Sequence, residues 1–254
     1  MKKLSSNLQE VWFWGAGNTA SKAFTWLQAQ KPEINLLVCS PKDDSLANVA
    51  QRCGVRWISI DEPLGKKLKG YPLIIISFLL PCKIPLSLIS QSKYGGINFH
   101  PAPLPSYRGV RCATFAILNK EQMFGVTCHY MTKRFDDGPI LGSQFVPIMS
   151  NDTAHSLETR SKVALLELFI DIFSRRKWEI SPPDTCVHPP PGKLYTQHMF
   201  NIMACIENTE KCKWELYTRA FWNPPYSAAY INCGHKKYFR TPCGKFVSDI
   251  KNLG

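Results

Sequence analysis

Apolar and polar positions in the first hundred residues fall into short alternating blocks. Val11-Trp12-Phe13-Trp14 is an apolar run that stops at Gly15-Ala16-Gly17 and gives way to a helical pattern from Thr19 to Gln28. Ile34 to Cys39 is a second apolar run, Ser45 to Cys53 reads as a helix and Val55 to Ile60 as a strand. Leu73-Ile74-Ile75-Ile76-Ser77-Phe78 is apolar at nearly every position, the pattern of a strand buried on both faces. A short helix over Ile84 to Ser90 and a strand over Gly95 to Phe99 complete the series. Strands alternating with helices predict an α/β fold, a doubly wound, mostly parallel Rossmann-like sheet with right-handed crossovers. Ligands of such sheets bind beyond the carboxyl ends of the strands.

Past the midpoint the pattern predicts a helix over Ala113 to Asn119 and strands over Gly125 to Met131 and Gln144 to Ile148. The polar turn Phe135-Asp136-Asp137-Gly138-Pro139 lies between those strands. A helix then starts at the capping cluster Asn151-Asp152-Thr153 and carries the apolar stripe Leu157, Ser161, Ala164, Leu165, Leu168 and Ile172. Arg175-Arg176-Lys177 suits its carboxyl end, where the dipole favours cations. Ser181-Pro182-Pro183 and His188-Pro189-Pro190-Pro191-Gly192 read as a stiff linker. After it, Trp214 to Phe221, Ala228 to Asn232 and Lys237 to Phe239 are read as strands of a small C-terminal β appendage. The expected domains are residues 1–180, a Pro-rich linker over 181–194, and a β-rich subdomain over 195–254.

Composition narrows the class. The chain has 254 residues, enough for one large domain with an appendage, and its apolar share of 44% is that of a globular protein. No apolar run reaches membrane-spanning length; the longest is Leu73 to Leu80. Met1-Lys2-Lys3-Leu4 is followed by polar residues and not by an apolar signal core, so the expected location is the cytoplasm, with no membrane partner. The ten cysteines contain no C-x-x-C pair, which argues for scattered reduced thiols and against a zinc cluster or a secreted disulfide framework. No metal is expected. The formal charge of +12 suits either a nucleic acid or an anionic small substrate, and the basic residues are dispersed among acidic and aromatic ones.

Two stretches carry candidate chemistry. Gly15-x-Gly17-x-x-Ala20 nearly matches a dinucleotide fingerprint, but the acidic residue expected after the second strand is missing, since Val38-Cys39 runs into Ser40-Pro41-Lys42. A tight turn that packs a helix closely on its sheet is the preferred reading there. Asn98 and His100 sit two apart at a strand end, so both side chains leave one face. An amide can donate to a developing oxyanion and an imidazole can move a proton near neutral pH. The loop Pro101-Ala102-Pro103-Leu104-Pro105-Ser106-Tyr107-Arg108-Gly109 follows directly.

Asn98-x-His100, Pro103-Leu104-Pro105-x-x-Arg108-Gly109, Gly125-Val126-Thr127-x-His129 and Asp136-x-Gly138-Pro139-Ile140-Leu141 occur in this order. Together they resemble the folate-dependent formyltransferases, the enzymes acting on methionyl-tRNA, glycinamide ribonucleotide and sugar nucleotides, over residues 10 to 175. Arg219-Ala220-Phe221-x-x-Pro224-Pro225-Tyr226 is similar to the appendage of the sugar and tRNA members. The resemblance implies N10-formyltetrahydrofolate as co-substrate and a catalytic triad of Asn98, His100 and Asp136. It also implies pterin contacts at Phe78, Leu79 and Leu80, with Asp136 beside them. Arg108, with Tyr107 and Arg111, is expected to hold substrate phosphate, because a guanidinium matches phosphate oxygens bidentately. His129 is expected to pack or to support the site. The preferred acceptor is a nucleotide-linked amino sugar, and a homodimer is compatible with the family. Two alternatives stay open: a methionyl-tRNA formyltransferase, disfavoured by the short tail, and an NAD-binding oxidoreductase or nucleotide-binding module built on Gly15-x-Gly17.

Overall fold

The apolar run at the start of the chain is strand β1 (Glu10–Gly15), and helix α1 (Gly17–Gln30) follows it after a single residue. Strand β2 (Asn35–Ser40), helix α2 (Ser45–Arg52), strand β3 (Arg56–Ser59), strand β4 (Ile74–Phe78), helix α3 (Leu86–Ile89) and strand β5 (Gly96–His100) continue the alternation. This computed structural model describes residues 10–30, 32, 34–62, 68, 70–175, 192–251 and 253. The chain divides into two units, one formed by Met1–His100, Thr127–Ser143 and Leu165–Pro189, the other by Pro101–Val126, Gln144–Ala164 and Pro190–Gly254.

The expected doubly wound sheet is present. With β7 (Met123–Tyr130) and β8 (Ile140–Pro147) it has seven strands in the order β3-β2-β1-β4-β5-β7-β8. The pairs β1–β2, β2–β3, β1–β4 and β4–β5 are parallel, and β5–β7 is antiparallel. Strand order reverses at β1, between β2 and β4, which is where open α/β sheets leave a crevice.

Side-chain alternation divides the core into two layers. On one face Phe13, Phe78 and Phe99 meet Phe169 and Phe173 of helix α5 (Ala154–Arg175), with Phe99 and Phe169 ring centres 5.0 Å apart. Phe169 is fully buried, and removing such a ring typically costs about 3–5 kcal/mol. On the other face Trp12, Trp14, Leu37, Cys39, Ile75 and Ile89 form the second cluster. Burial pushes the Cys39 thiol well above its usual range, so it serves as a small apolar side chain there.

The second unit holds β6 (Tyr107–Gly109), which pairs in parallel with β9 (Lys193–Tyr195), and helix α4 (Cys112–Leu118). Neither three-residue strand was expected, being too short to show a period. Gly109 has φ +91°, and a Cβ there would lie 2.1 Å from the Tyr195 carbonyl, so the pairing depends on that glycine. Tyr195 stacks between Tyr107 and Phe115, at 5.2 and 4.3 Å. At the head of α5, Thr153 Oγ1 accepts from Ser156 N–H while Ser156 Oγ accepts from Thr153 N–H, a reciprocal cap. Asp152 accepts from Met149 N–H and Ser156 Oγ and pairs with Arg160; its main-chain carbonyl accepts from Arg219.

The C-terminal sheet is present as β10 (Tyr230–Cys233), β11 (Lys236–Arg240) and β12 (Phe246–Val247), all antiparallel. Trp214–Phe221, expected to be a strand, is instead helix α7, preceded by helix α6 (Gln197–Ala204) with Thr196 as its cap. Trp214, Tyr217, Thr218 and Phe221 recur at helical spacing, and Thr218, Ala220 and Phe221 are the residues buried. Arg176 and Lys177 of the basic helix end, and residues 181–191 of the expected linker, lie outside the described residues.

Candidate active site

Asn98 and His100 stand at the carboxyl end of β5, where the adjacent β7 is antiparallel and in register: Asn98 faces His129 and His100 faces Thr127. In-register neighbours share a face, so Cys39, Trp14, Ser77, Asn98 and His129 form one transverse row across five strands. Asn98 is half-buried, while His100 and His129 are 5% and 2% exposed. Asn98 Nδ2 lies 3.1 Å from His129 Nε2, and His129 Nδ1 lies 2.9 Å from the Tyr130 carbonyl. The rings of His100 and His129 are 6.5 Å apart and nearly perpendicular.

Asp136 enters from the turn between β7 and β8. Its Oδ1 is 3.5 Å from Asn98 Nδ2, 3.7 Å from His100 Nδ1 and 3.6 Å from His129 Nε2. The turn is held in two ways. Tyr130 N–H donates to the Pro139 carbonyl at 2.9 Å, and Gly138 sits so close to Tyr130 that a Cβ there would fall 1.7 Å from its carbonyl oxygen. Asp136 itself has φ +47°, a conformation rare for a residue other than glycine. Asp137, the neighbouring carboxylate, instead pairs with exposed Arg134 at 3.7 Å. A proton carrier, an amide donor and a carboxylate are thus brought together with a second imidazole behind the amide.

Phe78 ends β4 with its ring buried in the aromatic layer, whereas Leu79 and Leu80 are half-buried beyond it. Leu79 has φ +53°, which turns the chain sharply away from the strand. Leu80 rests on the Trp12–Trp14 cluster. On the same side of the turn, Lys83 donates to the Lys133 carbonyl at 3.0 Å and lies over the Phe135 ring.

Tyr107, Arg108 and Arg111 belong to the second unit. Burial pushes the Tyr107 phenol well above its usual pKa, and its hydroxyl donates to Glu121 at 2.8 Å while accepting from Asn119 at 2.9 Å. Arg108 is 8% exposed within β6. Arg111, at φ +58°, donates from Nε to Gln197 at 3.3 Å and lies 5.1 Å from the centre of the Phe200 ring. Leu79, Arg111 and Asp136, all candidates from the sequence, thus share the left-handed backbone that sterics disfavour and that clusters at functional sites.

The glycine turn after β1 is explained by packing. A Cβ on Gly15 would lie 2.9 Å from the Phe78 carbonyl and 3.0 Å from Ala20 Cβ. Gly17 has φ +82°, and its N–H donates to both carboxylate oxygens of Asp44, at 3.0 and 2.9 Å. Asp44 also caps α2 through Leu46 N–H. A carboxylate therefore takes the amide that a dinucleotide fingerprint would offer to a pyrophosphate. An open groove of about 690 Å³ beside this turn is lined by Asn18, Ser45, Asn48 and Arg52, and none of the candidate site residues lines it.

Residues 72–172 match the family model described as formyl transferase. The match spans β4, β5, the turn bearing Asp136 and most of α5. The structure is also similar to that of a 4-N formyltransferase from Francisella tularensis, with a TM-score of 0.76 and 22% identity over 93% of this chain and 98% of that one. The fold is that of the formyltransferases. An N-formyltransferase from Helicobacter canadensis, solved with folinic acid and dTDP-3-aminofucose, superposes with a TM-score of 0.67 at 20% identity, over 91% of this chain and 86% of that one. A glycinamide ribonucleotide transformylase from Symbiobacterium toebii gives a TM-score of 0.56 at 18% identity, over 66% of this chain and 86% of that one. His129, expected only to pack or to support the site, stands beside both Asn98 and Asp136. The signal for it was the two-residue step from Thr127 along a buried strand, but its partner depends on the β5–β7 register.

Proposed function

We propose that this chain moves a formyl group from N10-formyltetrahydrofolate to the amine of a nucleotide-linked amino sugar, in the cytoplasm and on the way to a surface glycan. The observation that carries the reading is the convergence of Asn98, His100 and Asp136 at the carboxyl end of β5. The likeness to the N-formyltransferase solved with dTDP-3-aminofucose covers 91% of the chain, while the likeness to the glycinamide ribonucleotide enzyme covers 66%. That difference favours the sugar acceptor.

In this scheme the residues present do three things. Asn98 donates an amide hydrogen to the oxygen of the formyl group as the acceptor amine adds to its carbon, a contact of the kind worth on the order of 3 kcal/mol in acyl transfer. His100 takes the proton that the amine loses on forming its new bond and returns one to N10 as the old carbon–nitrogen bond breaks, a role worth about 100- to 10,000-fold. Asp136, 3.7 Å from His100, orients the ring and stabilises its charged state during the transfer. The half-buried pair Leu79 and Leu80 offers an apolar shelf suited to a flat pterin, with Phe78 behind it. Arg108, with Tyr107 as the packed base of its strand, and Arg111 ahead of α4 are assigned to the acceptor's diphosphate. Residues 1–180 are read as the catalytic domain and 195–254 as a smaller subdomain.

The test is mass spectrometry of reactions containing N10-formyltetrahydrofolate and, in parallel, 3-amino nucleotide sugars, 4-amino nucleotide sugars and methionyl-tRNA. A gain of one formyl group on a nucleotide sugar, with a shallow dependence on salt, is the expected result. Efficient formylation of methionyl-tRNA, falling steeply with salt as several phosphate contacts are screened, would overturn the sugar assignment. Product from none of them would overturn the formyl-transfer reading.

A further inference from the structure

His129 has no part in the scheme above, yet it is more deeply buried than either partner on β5, and both of its ring nitrogens are engaged. The Tyr130 carbonyl, 2.9 Å from Nδ1, can only accept a hydrogen bond, so Nδ1 carries the ring hydrogen. In the neutral ring Nε2 is then purely an acceptor. It faces Asn98 Nδ2, which is purely a donor, at 3.1 Å. The orientation of the Asn98 amide is therefore dictated from behind the site.

We infer that His129 is a positioning residue that keeps the nitrogen end of the Asn98 amide aimed at the reacting oxygen. The inference rests on the formyl-transfer reading for its chemical meaning, but the lock itself is a property of the free protein. Asn98 Nδ2 has two hydrogens. One is committed to His129, and the other faces Asp136 Oδ1 at 3.5 Å, the outer limit of a hydrogen bond. That loosely held hydrogen is the one free to pass to an incoming oxygen. Without an acceptor at His129 Nε2 the amide can turn over, and its carbonyl would then meet the developing negative charge with repulsion. The lock is anchored in the main chain, because the Tyr130 peptide also bonds to Pro139 at the base of the turn that carries Asp136.

Nitrogen-15 NMR of the histidine-labelled, unliganded protein reads the lock directly, with the His129 signals assigned by their loss in His129→Gln. Nδ1 should be protonated and Nε2 bare; a hydrogen on Nε2 would overturn the inference. Kinetics test the consequence. With the accepted amino sugar, His129→Leu should lower kcat about 100-fold, the range of a lost oxyanion donor, with both KM values within about threefold. His129→Gln places an amide oxygen where Nε2 stood and should recover most of that loss. In an Asn98→Ala background His129→Leu should change kcat less than about twofold, since there is no amide left to orient. An equal loss in both backgrounds would overturn the inference, as would a full kcat in His129→Leu. Should His129→Leu not fold, His129→Gln and the tautomer measurement still decide. Absence of formylated product with every acceptor would sink the functional reading and leave the NMR result standing on its own.

Discussion

Gly138 offers the most exacting test of how the turn carries Asp136 to its partners. A methyl group added there would lie 1.7 Å from the Tyr130 carbonyl oxygen and 2.7 Å from its carbon, where ordinary contact begins at 3.4 Å. Both obstructing atoms are backbone, so no side-chain rotation relieves the clash. The turn must withdraw by about 1.5 Å, and the Tyr130–Pro139 hydrogen bond of 2.9 Å cannot survive that movement. Overpacking of this kind costs about 1–3 kcal/mol, which lowers the melting temperature by roughly 2–12 °C for a chain of this size. The functional loss should be larger. Displacing a reacting group by about 1 Å costs on the order of 100-fold in rate. Asp136 rides directly on the withdrawn segment, two residues away. Gly138→Ala should therefore remain folded at 25 °C by urea titration yet lose at least 100-fold in kcat for formyl transfer. Turnover within about threefold of the unaltered protein, with an unmoved melting temperature, would refute the reasoning.

Three further outcomes follow from other parts of the molecule. His100→Ala and Asp136→Asn should each reduce formyl transfer at least 1,000-fold while leaving folate binding measurable by calorimetry, because they remove proton transfer and not docking; a near-normal rate in His100→Ala would end the triad assignment. Asp152 is buried, which opposes its charge, but bonds from Arg160, Met149 N–H and Ser156 prevail and hold its carboxyl below the usual range. Its stabilisation is thus complete above the unfolded pKa near 3.9 and fades as pH falls through the lower folded value, so Asp152→Asn should cost about 2–3 kcal/mol at pH 7, and that difference, followed by chemical denaturation, should vanish towards strongly acid pH. For Arg111→Gly, relief of a left-handed residue, worth about 1–2 kcal/mol, is offset by greater chain entropy and a lost cation–π contact of about 0.5–1 kcal/mol, so stability should stay nearly level while KM for the nucleotide sugar rises about tenfold, as steady-state kinetics would show; an unchanged KM would remove Arg111 from the acceptor site.

The fold was legible because its signals are long and repetitive. Apolar runs such as Ile74–Phe78 and helices such as Ala154–Arg175 leave a period that survives tertiary context. Asn98, His100 and Asp136 came from the resemblance of the ordered motifs to the formyltransferases, and Asp136 Oδ1 lies within 3.7 Å of both partners. The part that was not legible is what one strand does to another. Nothing local to Gly125-Val126-Thr127-Cys128-His129 says that it runs antiparallel to β5 with His129 opposite Asn98. The three-residue strands β6 and β9 are equally silent, since a pairing that short is fixed by Gly109 and the Tyr107–Tyr195 stack and not by periodicity. Trp214–Phe221 shows the opposite failure. Its bulky aromatic and branched residues favour a strand by type, but their spacing of three and four is helical, and burial of Thr218 and Phe221 decided the matter.

On β5 the residues that hold the protein together and the residues that face the site are interleaved. Phe99 enters the aromatic layer under α5, while Asn98 and His100 leave on the other side. Single substitutions can therefore drift on either side with little crosstalk, so the aromatic layer and the site can be tuned by separate mutations. A one-residue deletion inside β5 itself, at Gly96 or Ile97, allows no such compromise. It would turn Phe99 towards His129 and drive the amide of Asn98 into a layer of phenyl rings, undoing stability and chemistry in one step. Length changes are thus confined to the connections on either side of this strand.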